Sequence, residues 1–306
     1  MFMKFFLKIT AFIALTLGFC FLLQAFVAPK IRDTNVFVGA TIEKEKRLAE
    51  LLSPRLVFVG GSNLAFGLDS KKISDSLKIP VANMGLHAGL GVEFGLNEAA
   101  NFLKEGDKVI LSVEYGLTKK GDTKLCSQLV DVNPSAANYL GNSMNDRLRL
   151  IDINWQRCVS SLFFASVASP NELVYRRDGF SEEGDMISHL NQPQPANQTD
   201  RGKIFYREYN DEINALNAFI EEANQKGAKV YYTFPTYMES EYTLNKEVVE
   251  QYENLFKSQL KCPIINTPKT FVLPNTDYFD TAYHLNKEGR AKRTDIMIAL
   301  LREKVF

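Results

Sequence analysis

Two short stretches hold the residue types best suited to chemistry: a serine that leaves an apolar run through two glycines, and an aspartate four residues before one of only three histidines. In Gly60-Gly61-Ser62-Asn63 the glycines permit a tight turn and close backbone approach, so Ser62 is presented at the end of Leu56–Val59. In Asp280-Thr281-Ala282-Tyr283-His284 the carboxylate and imidazole stand at i and i+4, a spacing that shares one face of a helical turn. A carboxylate so placed accepts from one ring nitrogen and leaves the other to take a proton from a hydroxyl. The combination predicts nucleophilic acyl chemistry, with Ser62 attacking, His284 as base and Asp280 orienting the ring. A third stretch, Asn83-Met84-Gly85-Leu86-His87-Ala88-Gly89-Leu90-Gly91, is dense in glycine after a short strand and offers backbone N–H groups to an anion. Each stretch also has a plainer reading: a turn or phosphate cradle for the first, a surface pair capping the last helix for the second, and an ordinary strand-to-helix turn for the third.

The surrounding pattern supplies a frame for them. From Leu56 onward short β-branched runs alternate with helical stretches, the signature of a parallel sheet with helices on its faces. Strands are expected at 56–59, 81–83, 108–113 and 229–234, with a short apolar piece at 263–265. Helices are expected at 69–77, 92–103, 208–225, 244–260 and 285–305. In an open parallel sheet ligands bind beyond the carboxyl ends of the strands, where Ser62 and the glycine stretch fall. Residues 117–203 break the alternation with scattered Pro, Asn and Ser and one helix over 144–155, and are expected to form an inserted cap region. The reading is an α/β domain over 31–306, with 117–203 inserted, preceded by a membrane anchor or signal segment over 1–30.

That N-terminal segment carries an apolar run from Ile9 to Val27, long enough for a helix to cross hydrocarbon. Phe26 and Val27 stand where a signal peptide places small residues before its cleavage point, so an uncleaved anchor is favoured, with the bulk of the chain extracytoplasmic. Overall, 36 Lys and Arg balance 36 Asp and Glu, a net charge of +0 that gives no reason to hold nucleic acid. Three scattered histidines and four cysteines without C-x-x-C spacing offer no metal site, and no cofactor is expected. An oxidising compartment would permit a Cys126–Cys158 disulfide; unpaired buried thiols are the equal alternative.

With these residues in place, the chain resembles the SGNH/GDSL hydrolase superfamily. Ser62 matches the nucleophile, Gly85 the second-block glycine, and Asp280 with His284 the terminal block. VFVGGSNLAFGLDS, ANMGLHAGLG and FDTAYHLNKEG are similar to membrane-anchored, extracytoplasmic SGNH-like proteins that assist membrane-bound O-acyltransferases in acylating cell-envelope polysaccharide. The resemblance covers residues 55 to 300. It implies a three-layer, flavodoxin-like sheet, a Ser-His-Asp esterase or O-acyltransferase acting on O-acyl groups, acetyl first among them, and a carbohydrate or other acyl-ester substrate. It also implies a membrane-bound O-acyltransferase as partner and an oxyanion hole lined by the Ser62 and Gly85 N–H groups. Two departures stand out. The family's terminal D-x-x-H is D-x-x-x-H here, and the strand that should lead to an asparagine oxyanion donor ends in Glu114-Tyr115-Gly116. Asn63 is the candidate replacement for the missing donor. A non-catalytic binding or assembly role on the same fold, and a secreted esterase of small esters or lipids, are the alternatives.

Overall fold

Four short strands buried on both faces form a parallel sheet at the centre of the molecule, in a computed structural model that describes residues 2–27, 34–141, 143–163, 172–196, 198–199 and 202–306. The strands are β1 (Leu56–Gly60), β2 (Val81–Asn83), β3 (Lys108–Ser112) and β4 (Lys229–Tyr232), in the order β2-β1-β3-β4. Leu56 stands opposite both Val81 and Lys108, and Lys108 opposite Lys229. The helices in chain order begin with α1 (Phe2–Leu22), α2 (Thr41–Glu50), the single turn α3 (Ser62–Ala65), α4 (Ser70–Leu77) and α5 (Val92–Ala100). They continue with α6 (Thr123–Val132), α7 (Met144–Phe163), α8 (Asn210–Gln225), α9 (Glu239–Leu244), α10 (Lys246–Gln259) and α11 (Lys287–Lys304).

The strand period of two sorts side chains between two layers. Leu56, Phe58 and Ile110 pack with Ile73 of α4 and with Met297, Ile298 and Leu301 of α11. Val57, Val59, Val109 and Leu111 pack on the other side with Leu96 and Ala99 of α5 and with Ile213, Leu216 and Phe219 of α8. Each such side chain removed from water contributes about 1.5–3 kcal/mol, so the strands are fixed in register by both faces at once. The expected piece at 263–265 adds only a single parallel bridge, Ile264 to Tyr232, beyond β4. The terminal helix starts at Lys287 rather than 285, because the Asn286 side chain accepts from the Gly289 N–H (3.0 Å) and caps it there.

Among the described residues, 117–203 contain two α-helices rather than one. α6 and α7 pack together over Cys126, Leu129, Val130 and Ile153, an apolar cluster that also takes in Phe37 and Met186. α7 runs eight residues past its expected end at 155. All four cysteines are free; the Cys158 thiol donates to the Cys20 carbonyl at 3.4 Å. α1 is a 21-residue helix long and apolar enough to cross a membrane, and none of its residues is buried.

Candidate active site

β1 ends where its glycines are required. A side chain at Gly60 would overlap the Ser112 carbonyl on β3, and one at Gly61 would overlap the Glu114 carboxylate. The chain therefore turns sharply into α3, and Ser62 opens that turn half-buried. Ser62 lines a cleft of about 560 Å³ together with His284, Glu114, Tyr175, Thr199 and Tyr237. Among the described residues, neither the hydroxyl nor the N–H of Ser62 makes a hydrogen bond.

His284 and Asp280 meet as the sequence spacing suggested, but not in a helical turn. Tyr278 and Leu285 form an antiparallel bridge, and the Phe279 N–H donates to the His284 carbonyl at 2.8 Å, closing a narrow loop. Inside it the Thr281 hydroxyl accepts from the Tyr283 and His284 N–H groups at 3.1 and 3.0 Å. This hydroxyl clamp turns the ring so that Nδ1 lies 2.8 Å from Asp280 Oδ1. The other carboxylate oxygen accepts a short hydrogen bond from the Tyr175 hydroxyl, which also lies 3.2 Å from His284 Nδ1. Phe66 stacks flat on the imidazole, with centroids 4.0 Å apart and planes 8° apart. Burial alone would raise the Asp280 carboxyl; the hydrogen bond and charge of His284 and the Tyr175 hydroxyl outweigh it and hold the group below its ordinary value. Behind Phe66, burial pushes His189 down to about 4, so the second ring stays neutral beside the first.

Tyr175 and Phe66 escaped sequence reasoning. Tyr175 lies in the weakly patterned stretch before α8, and nothing in its neighbours signals a partner 105 residues away. Phe66 is one apolar residue among many; its place one turn after Ser62 was the only available cue.

The expected oxyanion donors are arranged differently. Both amide protons of Asn83 are committed, to the Leu64 carbonyl (2.9 Å) and to buried Asp185 (2.8 Å), so its Oδ1 faces back and accepts the Gly85 N–H at 2.9 Å. That N–H is thereby already occupied. The Asn63 side chain points into the core: it donates to the Ser112 carbonyl (3.3 Å) and accepts from the Ser112 hydroxyl (3.1 Å) and from Arg293 (2.9 Å). It supplies no donor to the cleft. The Asn63 N–H, on the residue after the candidate nucleophile, donates to Glu114 Oε1 at 2.8 Å. The carboxylate, 6 % exposed, thus fills the place beside Ser62 where a carbonyl oxygen would need a donor.

Arg293 holds this turn from below. Its guanidinium donates to both the carbonyl and the side-chain oxygen of Asn63 and stands 5.1 Å from the Phe271 ring centroid. Complete burial lowers it to about 10, so it stays charged at neutral pH. Arg293→Met is expected to cost about 3–5 kcal/mol by leaving buried oxygens without their donor. Chemical denaturation of the variant checks this, and a loss below about 1 kcal/mol would show that Asn63 is held by other means.

A second, apolar recess of about 30 Å³ lies under α5 and shares His87, Ala88 and Glu114 with the cleft. Its walls are Val59, Met84, Leu96 and Leu111, and buried Glu98 also faces it, one carboxyl oxygen without a partner among the described residues. Burial, reinforced by nearby Glu45 and opposed by Lys44, raises Glu98 well above the usual carboxylate range. A scan against models of known protein families finds no match to this chain, and a search of curated proteins finds none either.

Proposed function

We propose that this protein is an SGNH-like serine enzyme of flavodoxin-like, three-layer architecture, anchored by its N-terminal helix and working outside the cytoplasm. It moves a small O-acyl group on or off cell-envelope carbohydrate. The observation that carries the reading is the convergence on one cleft of Ser62 and of His284, with Asp280 and Tyr175 behind the ring. In the reaction Ser62 Oγ attacks the ester carbonyl and its proton passes to His284. The bond to the leaving alcohol breaks as His284 returns that proton, leaving an acyl-enzyme. A second alcohol, or water, then repeats the sequence in reverse.

The surroundings favour a short acyl group and a polar acceptor. The recess is too small for a fatty chain, whereas the cleft is lined by Thr199, Lys203 and the tyrosines 115, 175, 237 and 283, a polar and aromatic wall suited to a sugar. One specific observation favours the second reading, a non-catalytic binding or assembly role beside a membrane-bound O-acyltransferase: Glu114 opposes negative charge where the tetrahedral intermediate would form.

A serine-directed fluorophosphonate applied to the full-length protein separates the two. Label on Ser62, absent in Ser62→Ala and slowed at least about 100-fold in His284→Ala, is the result expected of an activated nucleophile. Folded protein that takes no label would move the conclusion to the binding role.

A further inference from the structure

α7 is apolar on the face it shows to solvent. Met144, Leu148, Ile151 and Trp155 are 69, 58, 65 and 49 % exposed. At about 100° per residue they fall within an arc of about 60°. The opposite face is already used: Ile153 is buried against α6, and Arg157 pairs with Asp131 of α6 at 3.2 Å. The stripe is therefore not the helix's packing face. Asn145 and Asp152 border it on one side and Arg147 and Asn154 on the other, all exposed.

What covers the stripe follows from where the helix is fastened. Cys158 lies at the edge of the same face, and its thiol meets the carbonyl of Cys20 in the last turn of α1. A 21-residue helix spans about 30 Å, the thickness of the hydrocarbon layer, so a residue in its final turn marks the layer's edge. α7 is tied at that depth, by the side that carries the stripe.

We propose that α7 lies along the bilayer surface, with Met144, Leu148, Ile151 and Trp155 inserted among the lipid chains and its polar borders at headgroup level. The inference rests on reading α1 as a retained anchor. An amphipathic helix with a tryptophan on its apolar face and charge along its borders has the composition of an interfacial helix. The arrangement also fixes the cleft: the Asp122 N–H just before α6 donates to the Gly89 carbonyl at 2.7 Å, in a loop that borders Ser62's cleft, so α7 would hold that cleft close to the membrane.

Trp155 is the only tryptophan in the chain, so its fluorescence reports on this helix alone. The full-length protein is reconstituted into phosphatidylcholine–phosphatidylglycerol vesicles with or without bromine on the acyl chains, and its flotation with the vesicles is measured in parallel. The expected result is quenching of Trp155 by brominated chains to less than half its intensity, with little quenching by iodide. The doubly substituted Leu148→Asp, Ile151→Asp chain, folded by circular dichroism, should lose most of the bromine effect and gain iodide access. Wild-type protein that floats with the vesicles but is quenched by iodide and not by bromine overturns the lipid assignment and leaves the stripe to a protein partner. Protein that does not float overturns the anchor, and the interfacial helix with it.

Discussion

Glu114→Gln is expected to raise the rate at which Ser62 is acylated by about 10²-fold. The two side chains have the same shape, and the amide oxygen still accepts the Asn63 N–H that Glu114 Oε1 accepts at 2.8 Å. What changes is the other end of the group. A carboxylate offers only acceptors, whereas the amide turns an N–H₂ toward the oxygen that becomes negative as Ser62 attacks. The measurement is the second-order rate of fluorophosphonate labelling, with hydrolysis of a short-chain ester alongside. Glu114→Ala removes the repulsion and frees the Asn63 N–H but adds no side-chain N–H₂, so its gain should be smaller. A glutamine variant no faster than the parent would mean that Glu114 does not face the reacting oxygen.

The reverse effect is expected at Asp280. Asp280→Asn should lower acylation by about 10⁴, because the amide presents an N–H or a weaker acceptor to His284 Nδ1 and favours the wrong tautomer of the ring. Tyr175→Phe, which removes only the hydroxyl that donates to Asp280, should cost far less. Labelling rates of the two variants, measured on protein with an unchanged melting transition, rank the contributions. Equal losses in both would place Tyr175 rather than Asp280 at the centre of the ring's support. The direction of the Asp280 shift sets a pH window. Its folded value lies below the unfolded one, so the pair with His284 adds stability at pH above about 4 and loses it as the pH falls through the lower folded value.

Much of the frame was visible in the sequence because it depends on local signals. β1 and β3 are continuous apolar runs buried on both faces, and α8 carries helical periodicity closed by Gly227. α2 was missed because six of the ten residues of TIEKEKRLAE are charged and it buries only Thr41, Lys44 and Leu48. Its Lys44 is held by the Asn83 carbonyl, a partner 39 residues on. The site divides in the same way. Ser62, Asp280 and His284 announce themselves through residue type and spacing. The direction of the Asn63 and Asn83 amides depends instead on Ser112, Arg293 and Asp185, which come together only after folding. No spacing rule reaches that far, so the partners taken by the Asn63 amide and the Gly85 N–H could not be read from the sequence.

Tyr175 makes the sheet-and-helix frame and the hydrogen-bonded Asp280–His284 pair separable parts. A chain trimmed of residues 117–203 would retain the serine, the imidazole and the aspartate, and the strands that carry them would still pair. It would lack the phenol that secures the second oxygen of Asp280, one wall of the cleft, and the Asp185 carboxylate that sets the direction of Asn83. The stretch with the least regular pattern in the sequence therefore acts as a keystone: engineering toward a minimal version of this protein would preserve its outline while dismantling the support of the Asp280–His284 pair.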